Sequence, residues 1–156
     1  MDFPAHFLWA LALFQRYSWV FQGVFFSLLP DIIWSIPAIY FYLSSGRKSN
    51  YDKLYPKIKP IYQWSHSIVL PTLGFVVIWL WTKTFYWPLL AGYFLHILMD
   101  LPFHKGGYAN GIAPLYPISN KKINGWFWWR EVLREKPYLA ILNYLIALTI
   151  LLIQIK

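Results

Sequence analysis

The chain contains no cysteine. Disulfides and thiolate metal sites are therefore excluded, and any metal would rest on nitrogen and oxygen ligands alone. Charge is also scarce, at 13% of residues, where a soluble domain carries about 25%. No basic segment precedes the first apolar stretch, which opens Met1-Asp2-Phe3-Pro4-Ala5-His6, so a cleaved signal peptide is not expected. The run from Lys105 to Pro117 is rich in glycine and proline but lacks the lysine–serine ending of a phosphate loop. With no internal repeat and no low-complexity linker, residues 1–156 read as a single integral membrane domain.

What the chain has in excess is apolar and aromatic surface, 58% and 22% of its residues. A helix crossing a bilayer needs about 20 apolar residues. Four blocks approach that length: Tyr17 to Leu43, Gln63 to Trp81, Phe85 to Phe103 and Tyr138 to Ile155. The expected fold is an all-α, multi-pass membrane bundle of four spans, or five if Phe3 to Phe14 enters the bilayer. The alternative for that short segment is an interfacial or re-entrant helix. The ten Trp and twelve Tyr suit the aromatic belts of the two interfaces. Lysine and arginine concentrate in residues 44–60 and 104–136, read as two loops on one side of the membrane, hence cytoplasmic. The net charge of +8 follows from that topology in the inner (plasma) membrane and from anionic lipid headgroups. A nucleic-acid partner is not expected.

Into this apolar background the chain places a few ionisable groups, and such groups inside a membrane segment are costly enough to be functional candidates. His96 and Asp100 are four apart and share one helix face. Pro102 should end that helix near Asp100 or Leu101 and leave His104 on the following loop. An aspartate at a helix C-terminus faces the negative end of the dipole, and a bound cation would reverse the sign. A structural Asp–His pair is the competing reading. His66 lies just inside the start of the preceding block. In an antiparallel hairpin that position adjoins the end of the next helix, so His66, His96 and Asp100 should converge. Pro30 should break or kink its block. Asp31 then either caps the new helix or joins the cluster, as His6 does if it is more than an interfacial histidine. Asp52 reads as a solvated charge, and Glu131 as an outlying candidate within an amphipathic segment from Gly125 to Arg134.

Three pieces read together carry a family resemblance. They are Leu28-Leu29-Pro30-Asp31, Ser65-His66-Ser67, and His96-Ile97-Leu98-Met99-Asp100 followed by Gly107 and Pro117. Their order and content resemble the YdjM-like family of predicted inner-membrane metal-dependent hydrolases, which also tends to have an N-terminal histidine, as His6 is here. The family pattern continues its first motif with an aspartate and a histidine, where this chain has Ile33 and Trp34. It places histidine–arginine ahead of the second motif, where Ile61 and Tyr62 stand. The resemblance thus implies fewer ligands than a two-metal site takes, with His104 as a compensating candidate, or else a member without catalysis.

The ligand candidates are accordingly Asp31, His66, His96, Asp100, His6 and His104, with Asp31 and Asp100 also the candidate catalytic carboxylates. Imidazole and carboxylate together suit a divalent metal, Zn²⁺ first. The expected activity is hydrolysis of an ester or phosphoester of an amphiphile such as a phospholipid through a metal-activated water. The alternatives are an ion- or proton-relay transporter using the same residues, and a structural or partner-binding membrane protein in which they form a satisfied polar cluster.

Overall fold

The computed structural model describes residues 2–45, 51–105 and 111–154, with the side chains of 51–55 excepted. Among the described residues the chain is helical: α1 Phe3–Phe14, α2 Val20–Ser44, α3 Tyr51–Ser65, α4 Val69–Thr82, α5 Trp87–Asp100, a single 3-10 turn Leu101–Phe103, α6 Trp129–Glu135 and α7 Pro137–Gln154. Two helices, α2 and α7, are long and apolar enough to cross a membrane. A third crossing arises if Pro56–Ser65 and Val69–Thr82, bent by 49° across a short break, count as one span. The apolar blocks led to an expectation of four to five spans; α1 and α5, at 12 and 14 residues, are shorter than a full crossing.

α2 runs unbroken for 25 residues through Pro30 and Pro37, so Pro30 does not start a new helix and Asp31 is not a cap. Proline removes one backbone hydrogen bond, but in an apolar helix neighbouring helices and local adjustment absorb the loss. The first basic loop is also shorter than the sequence suggested. α3 begins at Tyr51 and carries Pro56 and Pro60 within it. Ile58, Tyr62 and Ser65 recur at helical spacing and are all buried, while Lys57 and Lys59 are exposed. Asp52 belongs to the stretch whose side chains are not described, and Gly107 also lies outside the described residues. The segment from Gly125 is helical only from Trp129 onward.

Three devices position the centre. Asp2 caps α1, its Oδ1 accepting from Ala5 N at 3.0 Å while Oδ2 accepts from the Tyr144 hydroxyl of α7. Trp9 Nε1 donates to Asn143 Oδ1 at 3.0 Å and Gln15 Nε2 to Leu151 O at 3.0 Å, so α1 is tied along α7 from end to end. α2 and α5 pack against each other at Gly92, where an added Cβ would lie 2.3 Å from Gly23 O and 2.9 Å from Ser27 N. The bend between α3 and α4 is fastened by Ser67, whose Oγ accepts from Val69 N at 3.0 Å and donates to Tyr116 O at 2.6 Å. Ile68 N adds a bond to Pro114 O at 2.8 Å. The segment after residue 110 folds back along the chain through antiparallel bridges Ile112–Ile123 and His104–Trp128.

Candidate metal centre

α1, α2, α3, α5 and the turn after α5 each deliver side chains to one buried point. Asp100, at the end of α5, lies at its middle. Its Oδ2 stands 3.5 Å from His66 Nε2, 3.4 Å from His96 Nε2 and 3.8 Å from His104 Nε2, and its Oδ1 stands 3.1 Å from His6 Nε2. Asp31 approaches from α2, its Oδ1 3.6 Å from His66 Nε2 and 3.9 Å from His96 Nε2. All six residues singled out from the sequence therefore meet. The side chains of His6, His66, His96 and Asp100 are at most 2% exposed, while Asp31 and His104, at 17% and 11%, form its two accessible edges. Glu131 lies apart, lining a surface cavity with Lys105.

Main-chain carbonyls orient three imidazoles. His96 Nδ1 is 2.6 Å from Ser27 O, His66 Nδ1 is 3.1 Å from Tyr62 O, and His104 Nδ1 is 2.9 Å from Asp100 O. A carbonyl only accepts, so Nδ1 of His96 and of His104 donates and Nε2 turns inward, while His66 Nδ1 also meets the Ser65 hydroxyl at 2.9 Å. Burial holds the His104 imidazole down to about 4, outweighing the neighbouring Asp100 carboxylate, so it is neutral near pH 7. The result is an inward-facing set of nitrogen and oxygen atoms. The His66 and His96 Nε2 atoms are 3.4 Å apart, and two carboxylates face them. Imidazole nitrogens and carboxylates gathered out of water are stabilised by a shared positive charge, and these groups could hold a metal ion.

The spacing bears on which cation fits. Among His66 Nε2, His96 Nε2 and Asp100 Oδ2 the distances are 3.4, 3.5 and 3.4 Å, and Asp31 Oδ1 lies 3.6 and 3.9 Å from the two imidazoles. Tetrahedral bonds of about 2.0–2.2 Å produce edges of roughly 3.3–3.6 Å. Two overlapping groups, His6–His96–Asp100 and Asp31–His66–His96, have donor atoms close enough to hold a metal ion.

Sequence reasoning did not anticipate the groups that orient these donors. Ser27, four residues before Asp31 on α2, supplies the carbonyl that fixes His96. Tyr62, one turn before His66, supplies the carbonyl for His66 and stacks on its ring at 4.0 Å. The Tyr93 hydroxyl donates to Ser65 O at 2.6 Å. Trp34 Nε1 donates to Asp31 Oδ1 at 3.0 Å, and its ring packs edge-on against Tyr62. The helical intervals of four and three are legible in the sequence; the part that main-chain carbonyls and the Ser65 hydroxyl, 2.9 Å from His66 Nδ1, take in orienting the rings is not.

Trp34 offers a direct check. Partners that hydrogen-bond a metal-ligating carboxylate typically contribute about 10–100-fold in metal affinity. Trp34→Phe keeps an aromatic ring against Tyr62 and removes only the donor to Asp31. Its metal affinity, measured by competition with a chelator, is expected to fall by that factor with little change in the melting temperature of the metal-free protein.

Comparison of the chain with protein-family models, with curated proteins and with solved structures finds no match in any of the three.

Proposed function

We propose that this chain is a membrane-embedded, metal-dependent hydrolase acting on an ester or phosphoester of an amphiphilic substrate, of the kind that the YdjM-like resemblance suggests. One observation carries the reading: six ionisable side chains from five segments converge, with imidazole Nε2 atoms and two carboxylates directed at a common point. Zn²⁺ is the ion that the donor set and the edge lengths suit best. His66, His96 and Asp100 would hold it, with Asp31 either completing the set or serving as base. The proposed setting is the inner membrane, crossed four to five times when the shorter apolar helices are included, with the basic segments 44–60 and 104–136 cytoplasmic.

A bound divalent ion supplies a positive charge that lowers the pKa of water to about 7 and polarises an ester oxygen. The chain's own residues do the rest. Asp31 is the least buried carboxylate of the centre, and each of its contacts runs through Oδ1, which leaves Oδ2 to take a proton from a water on the accessible side. His104, bare at Nε2, stands at the second edge and can accept a hydrogen bond there, while the proton that Asp31 takes from water is the one returned to the leaving group. The Nδ1–H bond of His96 to Ser27 O holds its ring orientation. The surrounding apolar helices keep bulk water out, which strengthens each charge interaction inside.

Metal analysis of detergent-purified protein is the decisive experiment, with about one zinc per chain expected and near-zero transition metal ending the reading. Metal-free protein that carries protons across liposomes would put the relay reading in its place. Acid should strip the ion. Imidazoles must be neutral to ligate, and burial holds the His104 imidazole to about 4, so affinity is expected to stay level near neutral pH and to fall by about tenfold per pH unit as pH drops below about 4. Chelator competition across that range measures it.

A further inference from the structure

Next to the His104 edge of the centre lies a separate surface cavity of about 380 Å³, lined by Lys105, Trp126, Phe127, Trp128, Glu131, Val132, Glu135 and Lys136. Its wall is continuous with the centre. Trp128 bridges His104 through the backbone, their rings are 6.1 Å apart, and Lys105 N donates to Phe127 O at 2.8 Å. Its lip is also where a long apolar helix begins, because Lys136 immediately precedes α7. Trp126 is 76% exposed there, and exposed tryptophan beside the end of a spanning helix is the composition of a membrane–water interface.

The charges around the cavity are unequal in their pairing. Glu135 is neutralised by Arg134 at 2.6 Å. Among the described residues, Lys105, Lys136 and Glu131 have no ion-pair partner within 4 Å. What remains is two ammonium groups and one carboxylate, set among indole rings. Two lysines suit a phosphodiester. One carboxylate in a cavity that tryptophan side chains also line suits an alkylammonium, which gains from both the charge and the ring quadrupole. The two requirements meet in one ligand.

We propose that this cavity is a binding site for the headgroup of a zwitterionic phospholipid, its phosphate on Lys105 and Lys136 and its ammonium on Glu131 between Trp126 and Trp128. The proposal rests on the hydrolase reading for its consequence: a lipid anchored there brings its ester linkages to the His104 edge of the centre. The binding itself needs neither metal nor turnover. A purely anionic lipid would satisfy the lysines but leave Glu131 facing a like charge, so the site discriminates by headgroup.

Native mass spectrometry of the full chain in detergent tests this, with palmitoyl-oleoyl phosphatidylethanolamine and the matching phosphatidylglycerol as probes and metal content measured on the same preparations. An exposed ion pair plus a cation–π contact predicts a preference of roughly 5–10-fold for the ethanolamine lipid. Glu131→Gln should bring that ratio to about one without weakening the glycerol lipid, and Lys136→Ala should weaken both lipids several-fold, since an exposed charge contact contributes up to about 1 kcal/mol. Both positions are exposed, and an unchanged elution volume and melting temperature verify the fold. Soluble glycerophosphoethanolamine at equal concentration should displace none of the lipid; displacement would reassign the site to a free ester. A wild-type ratio at or below one, or a ratio unmoved by Glu131→Gln, overturns the proposal. Metal bound without headgroup preference leaves the hydrolase reading intact and removes this site. Headgroup preference without metal does the reverse.

Discussion

Asp100→Asn is expected to abolish metal binding while leaving the metal-free protein as stable as the parent or more so. The carboxylate is 1% exposed, and its two oxygens contact all four histidines of the chain. In the absence of a cation it is a buried anion that accepts from His6 Nε2 at 3.1 Å but also faces a second carboxylate and the Nε2 atoms of the other imidazoles, an arrangement costly to bury. An isosteric amide changes both terms. It removes one negative charge, and its NH₂ donates to the Nε2 atoms that had faced an acceptor. The variant should therefore fold. It loses the ligand whose Oδ2 lies 3.4–3.5 Å from His66 and His96, and bound zinc should fall from about one per chain to a tenth or less, since even supporting residues around a metal contribute 10–100-fold. Linkage makes this visible by calorimetry. A ligand present at about 1,000 times its Kd stabilises the native state by about 4 kcal/mol, so added zinc should raise the melting temperature of the parent and not of the variant. Equal zinc-dependent shifts in both proteins would remove Asp100 from the centre. A variant that simply melts early, with or without zinc, would identify it as a structural pair instead.

The centre was legible in the sequence because the rules that reveal it are local or nearly so. His96 and Asp100 share a face through helical periodicity alone, and His66 meets them because an antiparallel hairpin sets the start of one helix beside the end of the next. Their neighbours on α5 also bury, from Pro88 through Tyr93 to Ile97. For Asp31 the sequence leaves a cap and a place in the cluster both open, with Pro30 expected to break or kink the helix; α2 passes through Pro30 unbroken, and Asp31 reaches His66 from mid-helix. The basic stretch before His66 was read as loop because of Pro56 and Pro60. The burial of Ile58, Tyr62 and Ser65 at intervals of four and three was the better signal. Of the four to five expected spans, two helices, or three with the bent pair counted as one, are long and apolar enough on their own, because apolar blocks measure composition, whereas helix length depends on where the chain turns. Ser67 and Ile68 bend the chain between α3 and α4 by bonding to Tyr116 and Pro114, nearly fifty residues away. Such a long-range tie leaves no trace in a sliding window.

Gly92→Ala should test how far the centre depends on helix packing at a distance from any ligand. A methyl group at this position would lie 2.3 Å from Gly23 O, 2.9 Å from Phe26 Cβ and 2.9 Å from Ser27 N, all on α2. Two of the three are backbone atoms, so no side chain can swing aside and α2 must move as a unit. Small-to-large changes in a packed interface cost about 1–3 kcal/mol or more, which for a chain of this size lowers the melting temperature by about 2–12 °C. The displacement also reaches the centre by a traceable route. Gly92 is one turn before His96, and Gly23 is one turn before Ser27, so the contact lies directly beneath the 2.6 Å bond that holds His96 Nδ1 to Ser27 O. Parting the helices lengthens that bond and frees the ring to rotate its Nε2 away from Asp100. Metal affinity should therefore fall by about 10–100-fold, the range for losing an orienting partner. Gly74→Ala is the matched control. Its added Cβ meets nothing nearer than Leu89 Cδ2 at 4.0 Å, and alanine gains up to about 1 kcal/mol of helix propensity over glycine. It should leave metal affinity unchanged and stability level or raised. If both variants lower stability and affinity alike, the effect is a general intolerance of substitution; if only Gly92→Ala does, the close approach of α2 and α5 is what holds the imidazole in place.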